Sequence, residues 1–208
     1  MMKIEHIKND LFSFIKFEDI FDEEELDLIW KECSFLCHEE KMLTAIDTGS
    51  AKDDYDQLLK QNKAIFLDDL YTDNRYCNYL KLYKKPIFEN QNKIDDFIKD
   101  DFNLRLFRAT NMDRTLVNYY EDFDYYSPHR DNACYTYVFW LFKEPKHFSG
   151  GNLTFDDINY EIDVKSNSAV LFPSWASHSV DAIKMTDDCK SFSGLGRFSF
   201  STFFNFRM

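Results

Sequence analysis

The sequence predicts a mainly β protein with a helical N-terminal half, an α+β fold in one domain. After about residue 104, short aromatic or β-branched runs alternate with turn-forming residues. Before it, apolar residues recur with a helical period after Asp22. The 208 residues are 44% hydrophobic, which is enough for one core. We therefore expect residues 1–208 to form a single domain, with 1–103 mostly helical and 104–208 forming a β-sandwich or barrel.

The clearest helix is predicted to begin after Asp22. Asp22 can cap it, and Glu25 stands at the spacing of a capping box. The apolar residues that follow at helical spacing are Leu26, Ile29, Trp30, Cys33, Leu36 and Cys37. Weaker helices are predicted over 74–84 and 90–99, whereas 38–56 is polar and is predicted to be irregular.

Six short runs in the C-terminal half are predicted to be strands. They cover residues 116–120, 135–142, 152–155, 159–163, 168–172 and 197–204. Turn formers such as Gly150-Gly151 and Ser166-Asn167 separate them. Many short strands at such spacing are typical of a sandwich or barrel.

The net charge of −12 argues against nucleic acid as a partner, because an acidic surface repels phosphate. No apolar run approaches the length of a membrane span, so we expect no membrane partner. The oligomeric state does not follow from the sequence.

The cysteines indicate a reducing, cytoplasmic setting with free thiols. They are Cys33, Cys37, Cys77, Cys134 and Cys189. Their number is odd and the N-terminus lacks the apolar region of a signal peptide. Cys33, Cys37 and His38 allow a zinc site, but no second ligand pair is spaced to complete it, so buried thiols are favoured.

The tripeptide His129-Arg130-Asp131 occurs in the catalytic loop of protein kinases, but the rest of the kinase pattern is missing. That loop needs an Asn five residues after its Asp, where this chain has Thr136. The nearest match to the downstream Asp-Phe-Gly is Asp101-Phe102-Asn103, which precedes His129. The sequence excludes a kinase.

A metal site explains the same tripeptide better. If it opens a strand, His129 and Asp131 point to one face and Arg130 points away. One imidazole and one carboxylate are two ligands of the 2-His-1-carboxylate triad that holds non-haem Fe(II).

The second histidine of such a triad must come from a neighbouring strand. His178 in "LFPSWASHSV" follows a strand and a proline turn and is the best candidate. His147 is predicted to be exposed, and His6 and His38 belong to the helical half.

Arg197 heads the last apolar strand, where it shares one face with Ser199 and Ser201. If that face is buried, the guanidinium needs an anionic partner. A dicarboxylate cosubstrate would supply one through a bidentate pair. The alternative is an exposed arginine on an edge strand.

These segments, in order, resemble the Fe(II)- and 2-oxoglutarate-dependent dioxygenases, specifically the prolyl 4-hydroxylase-like branch. The order is "NYYEDFDYYSPHRD", "YVFWLF", "SGGNLTF", "VKSNSAVLFPSWASHSV" and "GRFSFSTFF", over roughly residues 114–206. The resemblance implies a double-stranded β-helix (jelly-roll) core flanked by packing helices. It also implies an oxidoreductase that hydroxylates a C–H bond of a prolyl or other peptide side chain, or of a small molecule, releasing succinate and CO2.

The resemblance implies Fe(II) as cofactor and 2-oxoglutarate and O2 as cosubstrates. His129, Asp131 and His178 would be the catalytic iron ligands. Cosubstrate binding falls to Arg197, helped by Ser199 and Tyr120.

Substrate contacts are assigned by the same resemblance to Tyr126, Trp140 and Trp175, with Phe155 in the cavity wall. Two departures stand out: Arg197 follows His178 by nineteen residues, and Trp140 stands where some relatives have tyrosine. The intervening segment, 182–196, is expected to be an enlarged loop that contributes to a lid or substrate wall.

Two alternatives to the hydroxylase remain. One is a non-enzymatic jelly-roll binding module, and the other is a cupin-like metal protein that does not use 2-oxoglutarate. Acidic loop residues such as Glu121-Asp122 and Asp187-Asp188 favour a basic or neutral substrate.

Overall fold

The computed structural model describes residues 2–49, 52–53, 55–186 and 190–207. The strands are β1 Lys3–Ile7, β2 Phe14–Glu18, β3 Leu43–Thr44, β4 Lys60–Gln61, β5 Lys63–Phe66, β6 Met112–Tyr120, β7 Tyr125–His129, β8 Tyr135–Leu141, β9 Phe148–Ser149, β10 Leu153–Phe155, β11 Tyr160–Ile162, β12 Ser168–Pro173, β13 His178–Val180, β14 Lys184–Met185 and β15 Arg197–Asn205. The helices are α1 Glu23–Leu36, α2 Leu67–Leu70, α3 Asn78–Leu82, α4 Lys85–Glu89 and α5 Gln91–Ile98.

Two antiparallel sheets carry the fold. The larger has eight strands in the order β1-β2-β12-β8-β15-β6-β5-β3, and the smaller has five in the order β11-β10-β13-β7-β4. A further pair joins β14 to β9. The six predicted strands are confirmed as β6, β8, β10, β11, β12 and β15.

The larger sheet is buried on both faces. One apolar cluster joins its inner face to the smaller sheet, and another joins its outer face to α1, α3 and α5. All seven residues of the central strand β8 are therefore buried, which explains its continuous apolar run. This layering agrees with the expected jelly-roll core with packing helices.

Helix α1 begins as the sequence predicts. The Asp22 carboxylate accepts from the Glu25 backbone N–H at 2.9 Å, and the Glu25 carboxylate accepts from that of Asp22 at 3.2 Å, completing the capping box. Ile29, Cys33 and Leu36 form its buried face. The weaker helical predictions are met by α3 and α5, each shorter than expected.

The N-terminal half contains more strand than its sequence pattern indicates. β1 and β2 pair with each other, and β2 adds to the larger sheet beside β12. The segment predicted to be irregular, 38–56, includes β3, and its residues 50, 51 and 54 lie outside the described part of the chain.

Four cysteines are described, and none of them forms a disulfide, as expected. Burial raises the pKa of the Cys33 thiol well above its usual range. Cys189 lies outside the described residues. Across the ranges described, no helix combines the length and apolarity that crossing a bilayer requires.

Candidate metal and cosubstrate site

The two candidate histidine ligands face each other across neighbouring strands. β13 pairs with β7 so that His178 lies opposite His129, and the two ring centroids are 4.2 Å apart. His129 closes β7, whereas we expected the tripeptide to open a strand. Asp131 lies just beyond the strand, where its backbone N–H donates to the carbonyl of Ser174 at 3.0 Å.

Asp131 lies between the two imidazoles. Its Oδ1 is 3.6 Å from His129 Nε2, and its Oδ2 is 3.5 Å from His178 Nε2. Of the residues described, these three form the one group of potential ligands close enough to share a metal ion, with all ligand atoms within 4.8 Å of one another. Two imidazoles and one carboxylate are the donor set of a non-haem Fe(II) triad.

Backbone carbonyls orient both histidines for metal binding. His129 Nδ1 is 2.9 Å from the carbonyl oxygen of Ser127, and His178 Nδ1 is 3.0 Å from that of Ala176. A carbonyl can only accept, so each Nδ1 carries the proton and each Nε2 presents a lone pair. Desolvation, followed by the proximity of His178, lowers the pKa of His129 to about 2, which keeps its imidazole neutral.

A threonine hydroxyl holds the carboxylate of Asp131, and a serine hydroxyl contacts that threonine. Thr136 Oγ1 donates to Asp131 Oδ2 at 2.7 Å and is 2.8 Å from the hydroxyl of Ser174. Both hydroxyl-bearing residues are buried. Such partners fix the direction of a ligating carboxylate. The position at which the kinase pattern fails is therefore occupied by a residue that supports the metal site.

The triad opens into a cavity of about 490 Å³, called the central cavity below. Its floor is one face of the paired strands β6 and β15. The floor residues are Met112, Arg114, Leu116, Asn118 and Tyr120 of β6 and Arg197, Ser199, Ser201, Phe203 and Asn205 of β15. The alternation predicted for the last strand is thus observed, with Arg197, Ser199 and Ser201 facing one way.

Arg197 lies at the inner end of this floor and is only 1% exposed. One of its terminal nitrogens donates to the Gly151 carbonyl, and the guanidinium lies 4.5 Å from the ring centroid of Tyr120. Its Nε is buried without a hydrogen-bond partner. Burial lowers the pKa of Arg197 to about 10, so the group stays charged at neutral pH, and Asp181 acts on it only through space.

Ser199 lies one step along the same face, opposite Asn118 on β6 and Trp140 on β8. It is 3% exposed. A buried guanidinium with an unused N–H and a neighbouring hydroxyl fit the carboxylate of a dicarboxylic acid. The triad borders the same cavity and fits a divalent metal that such an acid could chelate.

The glycine pair shapes the inner end of the cavity. Gly150 and Gly151 have φ of +71° and +75°, a conformation that other residues adopt at a cost. A Cβ on Gly151 would lie 2.9 Å from a side-chain carbon of Ile183 and 3.5 Å from a terminal nitrogen of Arg197. Gly151 therefore lets this backbone, whose carbonyl accepts from Arg197, pack closely against Ile183.

Two tyrosines and two tryptophans were candidate site residues. Tyr120, Tyr126 and Trp140 line the central cavity. The Tyr126 ring stacks on that of His129, with centroids 3.4 Å apart. Trp175 does not line the cavity: it is 42% exposed and packs edge-on against Phe12.

Phe155 and Arg130 also lie away from the chemistry. Phe155 is fully buried between Phe14 and Phe172 in the core between the sheets. The Arg130 side chain turns outward, as predicted, and reaches only the rim of the cavity, pairing with Asp157 at 3.0 Å.

The loop over 182–196 is attached to the fold at both ends. β14 pairs with β9, and the Tyr119 hydroxyl accepts from the backbone N–H groups of Gly194 and Gly196. None of its described residues lines the central cavity. Asp187 and Asp188 lie outside the described residues, so the structure does not address their predicted influence on the substrate.

Two site residues were not predicted, namely Thr136 and Lys60. Lys60 lines the cavity from β4 and is 4% exposed, and burial lowers its pKa to about 8. Its ammonium lies 5.4 Å from the ring centroid of Tyr126. No motif marks either position: Thr136 joins the site through a hydrogen bond to Asp131 across the turn after β7, and Lys60 joins it through the pairing of β4 with β7.

Comparison with known families agrees with this geometry. The family model described as the 2OG-Fe(II) oxygenase superfamily matches residues 115–205, which include the triad and Arg197. Residues 115–205 therefore carry a 2OG-Fe(II) oxygenase domain. No curated protein sequence matches this oxygenase.

Solved structures share the fold of this oxygenase. A Pseudomonas putida prolyl-4-hydroxylase is 15% identical, with a TM-score of 0.60 over 94% of this chain and 93% of that one. A Trichoplax adhaerens prolyl hydroxylase, solved with a hypoxia inducible factor peptide, is 14% identical, with a TM-score of 0.57 over 92% and 83%. NgTET1, solved with 5mC DNA, is 14% identical, with a TM-score of 0.53 over 96% and 75%. These likenesses establish the jelly-roll fold.

Proposed function

We propose that this protein is a hydroxylase that uses Fe(II), 2-oxoglutarate and O2. It would convert a C–H bond of its substrate to C–OH while 2-oxoglutarate becomes succinate and CO2. The observation that carries this proposal is that the His129, Asp131 and His178 triad opens onto the same cavity as the buried, partly unpartnered guanidinium of Arg197.

In this proposal, His129, Asp131 and His178 hold Fe(II) through two neutral imidazoles and a carboxylate. The iron, when bound together with 2-oxoglutarate, supplies the oxidising chemistry. The carbonyls of Ser127 and Ala176 keep the imidazole lone pairs directed at the metal position.

Arg197 would bind the far carboxylate of 2-oxoglutarate. Its unused Nε–H and charge suit a carboxylate, and Ser199 adds a hydroxyl. Tyr120 covers the guanidinium and so restricts its orientation. Because these groups are buried, they exclude water, and their interactions with an anion are strengthened.

The substrate proposal is a peptide side chain or a small molecule. The Trichoplax protein, solved with a peptide, supports a peptide, and the two prolyl hydroxylases support a prolyl side chain. Tyr126 and Trp140 would contact it in the cavity wall. The net charge of −12 favours the absence of nucleic acid, although NgTET1 carries DNA on the same fold.

We also propose a cytoplasmic location, which free thiols at all four described cysteines support. The cupin-like alternative predicts metal binding without affinity for 2-oxoglutarate. It leaves the burial of Arg197 in a cavity beside the triad unexplained.

An anaerobic titration tests the function. Wild-type protein with Fe(II) and 2-oxoglutarate should develop a weak visible charge-transfer band, which His129→Ala should lose. Arg197→Met should bind 2-oxoglutarate at least about tenfold more weakly, since it removes a charge-assisted pair. The matched control is Arg108→Met, because Arg108 pairs with Asp95 away from the cavity. No band in folded, metal-loaded wild type would refute the function.

A further inference from the structure

Lys60 places a positive charge in the wall of the central cavity, next to the triad. It lies on β4 opposite Tyr126 of β7, and its ammonium is 5.4 Å from the centroid of that ring. The ring in turn stacks on His129. Lys60 and the proposed metal ligand His129 are therefore neighbours of the same tyrosine ring.

Within the described ranges, Lys60 makes no hydrogen bond or ion pair with a carboxylate, and Asp131 attracts it only through space. Besides Lys60 and Arg197, the described arginines that line the cavity are Arg114 and Arg130. Arg114 pairs with Asp69, and Arg130 pairs with Asp157. A buried cation without a direct partner is costly, so a positive charge kept in a binding cavity suits an anionic ligand.

The charges of the assembled site lead to the same conclusion. Under the proposed function, Fe(II) engages Asp131, and 2-oxoglutarate brings two carboxylates, one for the metal and one for Arg197. The positive charges of Fe(II), Arg197 and Lys60 then exceed the negative charges by one. A substrate with one negative charge near Lys60 would neutralise the cavity.

We propose that the substrate carries a carboxylate that pairs with Lys60 and thereby orients the C–H bond to be hydroxylated. This inference rests on the proposed function. Met112, Leu116 and Phe203 give the floor apolar surface beside its polar residues. We therefore assign the class as an organic carboxylate, free or within a peptide, with an apolar body that can contact these three side chains.

The acidic loop residues that favoured a basic or neutral substrate do not oppose this inference. Glu121 accepts from the hydroxyl of Ser191, and Asp122 accepts from the backbone N–H of Met185. Neither lines the central cavity. Of the described basic side chains that line the cavity, Arg114 and Arg130 are paired with carboxylates and Lys60 is not.

The test uses full-length protein loaded anaerobically with Fe(II) and 2-oxoglutarate. The probes are N-acetyl amino acids with apolar side chains, including N-acetylproline, each paired with its primary amide. Each pair differs by one charge at nearly constant shape. Binding is measured as the perturbation of the visible band, and succinate release is then measured in air. The variants are Lys60→Met, Lys60→Arg and the control Lys63→Met, which removes a lysine outside the cavity on β5.

In wild type and Lys63→Met, at least one acid should bind about tenfold or more tightly than its amide, as expected for one charge-assisted hydrogen bond. Lys60→Met should lose this preference while keeping its affinity for 2-oxoglutarate, and Lys60→Arg should retain it. The inference fails if amides bind as well as acids, or if Lys60→Met keeps the preference. It also fails if no acid perturbs the band at a concentration of about 10 mM, which would detect even weak binding. Failure of the wild-type protein to bind 2-oxoglutarate would instead refute the proposed function.

Discussion

His178 lies directly opposite His129 in the pairing of β13 with β7, with the two ring centroids 4.2 Å apart. Both imidazoles donate through Nδ1 to a backbone carbonyl two residues earlier in the chain. The two strands therefore present equivalent lone pairs to one point, which Asp131 also borders. The metal position is defined by backbone pairing as much as by the side chains.

His178→Ala should abolish metal binding. It leaves only two of the three ligands, so the affinity for Fe(II) or Co(II) should fall by more than about 100-fold. This loss exceeds the one expected when a residue that only hydrogen-bonds a metal ligand is removed. Metal addition should raise the Tm of wild type and leave that of the variant unchanged. His38→Ala is the control, since His38 lies outside the cavity with an exposed side chain. A metal-dependent rise in Tm in His178→Ala would contradict this ligand assignment.

Thr136→Val should weaken metal binding by about 10- to 100-fold. The substitution keeps the shape and removes the hydroxyl that donates to Asp131 Oδ2, so the carboxylate loses its fixed direction. Isothermal titration with Co(II) measures the affinity.

Thr115→Val provides the matched control for that experiment. Thr115 is equally buried and its hydroxyl is 2.9 Å from that of Thr202, away from the triad. Thr115→Val should lose about 1 kcal/mol of stability for one neutral hydrogen bond, and Thr136→Val should lose more because its hydroxyl bonds both Asp131 and Ser174. Only Thr136→Val should lose metal affinity. Equal metal affinities in the two variants would show that Thr136 does not support Asp131.

The strands that the sequence predicted are those with long or regular apolar patterns. β8 is a continuous apolar run because the helices cover one face and the smaller sheet covers the other. β13 has three residues and β4 has two, which is too short for any period to appear. β2 was missed because its residues Phe14, Ile15 and Phe17 follow no strict alternation.

The site residues also divide into those that the sequence predicted and those that it did not. His129, Asp131, His178 and Arg197 stand in recognisable local patterns, and the structure brings all four to one cavity. Lys60 joins them through the pairing of β4 with β7. Thr136 joins through a hydrogen bond across the turn between β7 and β8. The Lys60 contact depends on strand register and the Thr136 contact on the geometry of a turn, and the local sequence pattern specifies neither.

Asp124→Asn should change the pH dependence of stability. Burial raises the pKa of Asp124 from 3.8 to about 6. Between pH 3.8 and about 6, the folded state therefore holds a proton that the unfolded state has released. The contribution of Asp124 to stability is full below pH 3.8 and is lost as pH rises through about 6. The variant, which carries no charge, should gain about 2 kcal/mol relative to wild type between pH 4 and pH 7.

Urea denaturation of both proteins at several pH values measures this difference. Asn keeps an oxygen that can accept from the backbone N–H of Glu121, as Asp124 Oδ2 does at 2.9 Å. The comparison therefore isolates the charge. Parallel stability curves over pH 4 to 7 would mean that Asp124 ionises normally in the folded protein.

Gly151→Ala should weaken 2-oxoglutarate binding as well as stability. At φ of +75°, any Cβ costs about 1–2 kcal/mol. The new Cβ would also lie 2.9 Å from a carbon of Ile183, so either Ile183 or the Gly151 backbone, whose carbonyl accepts from Arg197, must shift. Gly194→Ala separates the two effects, because Gly194 has φ of +73° and nothing lies within 4 Å of its Cβ position.

Urea denaturation should show a similar strain-related loss of stability in Gly151→Ala and Gly194→Ala. Calorimetric titration should show weaker 2-oxoglutarate binding, by about tenfold, only in Gly151→Ala. Unchanged binding in Gly151→Ala would mean that the position of Arg197 does not depend on the close approach of this backbone.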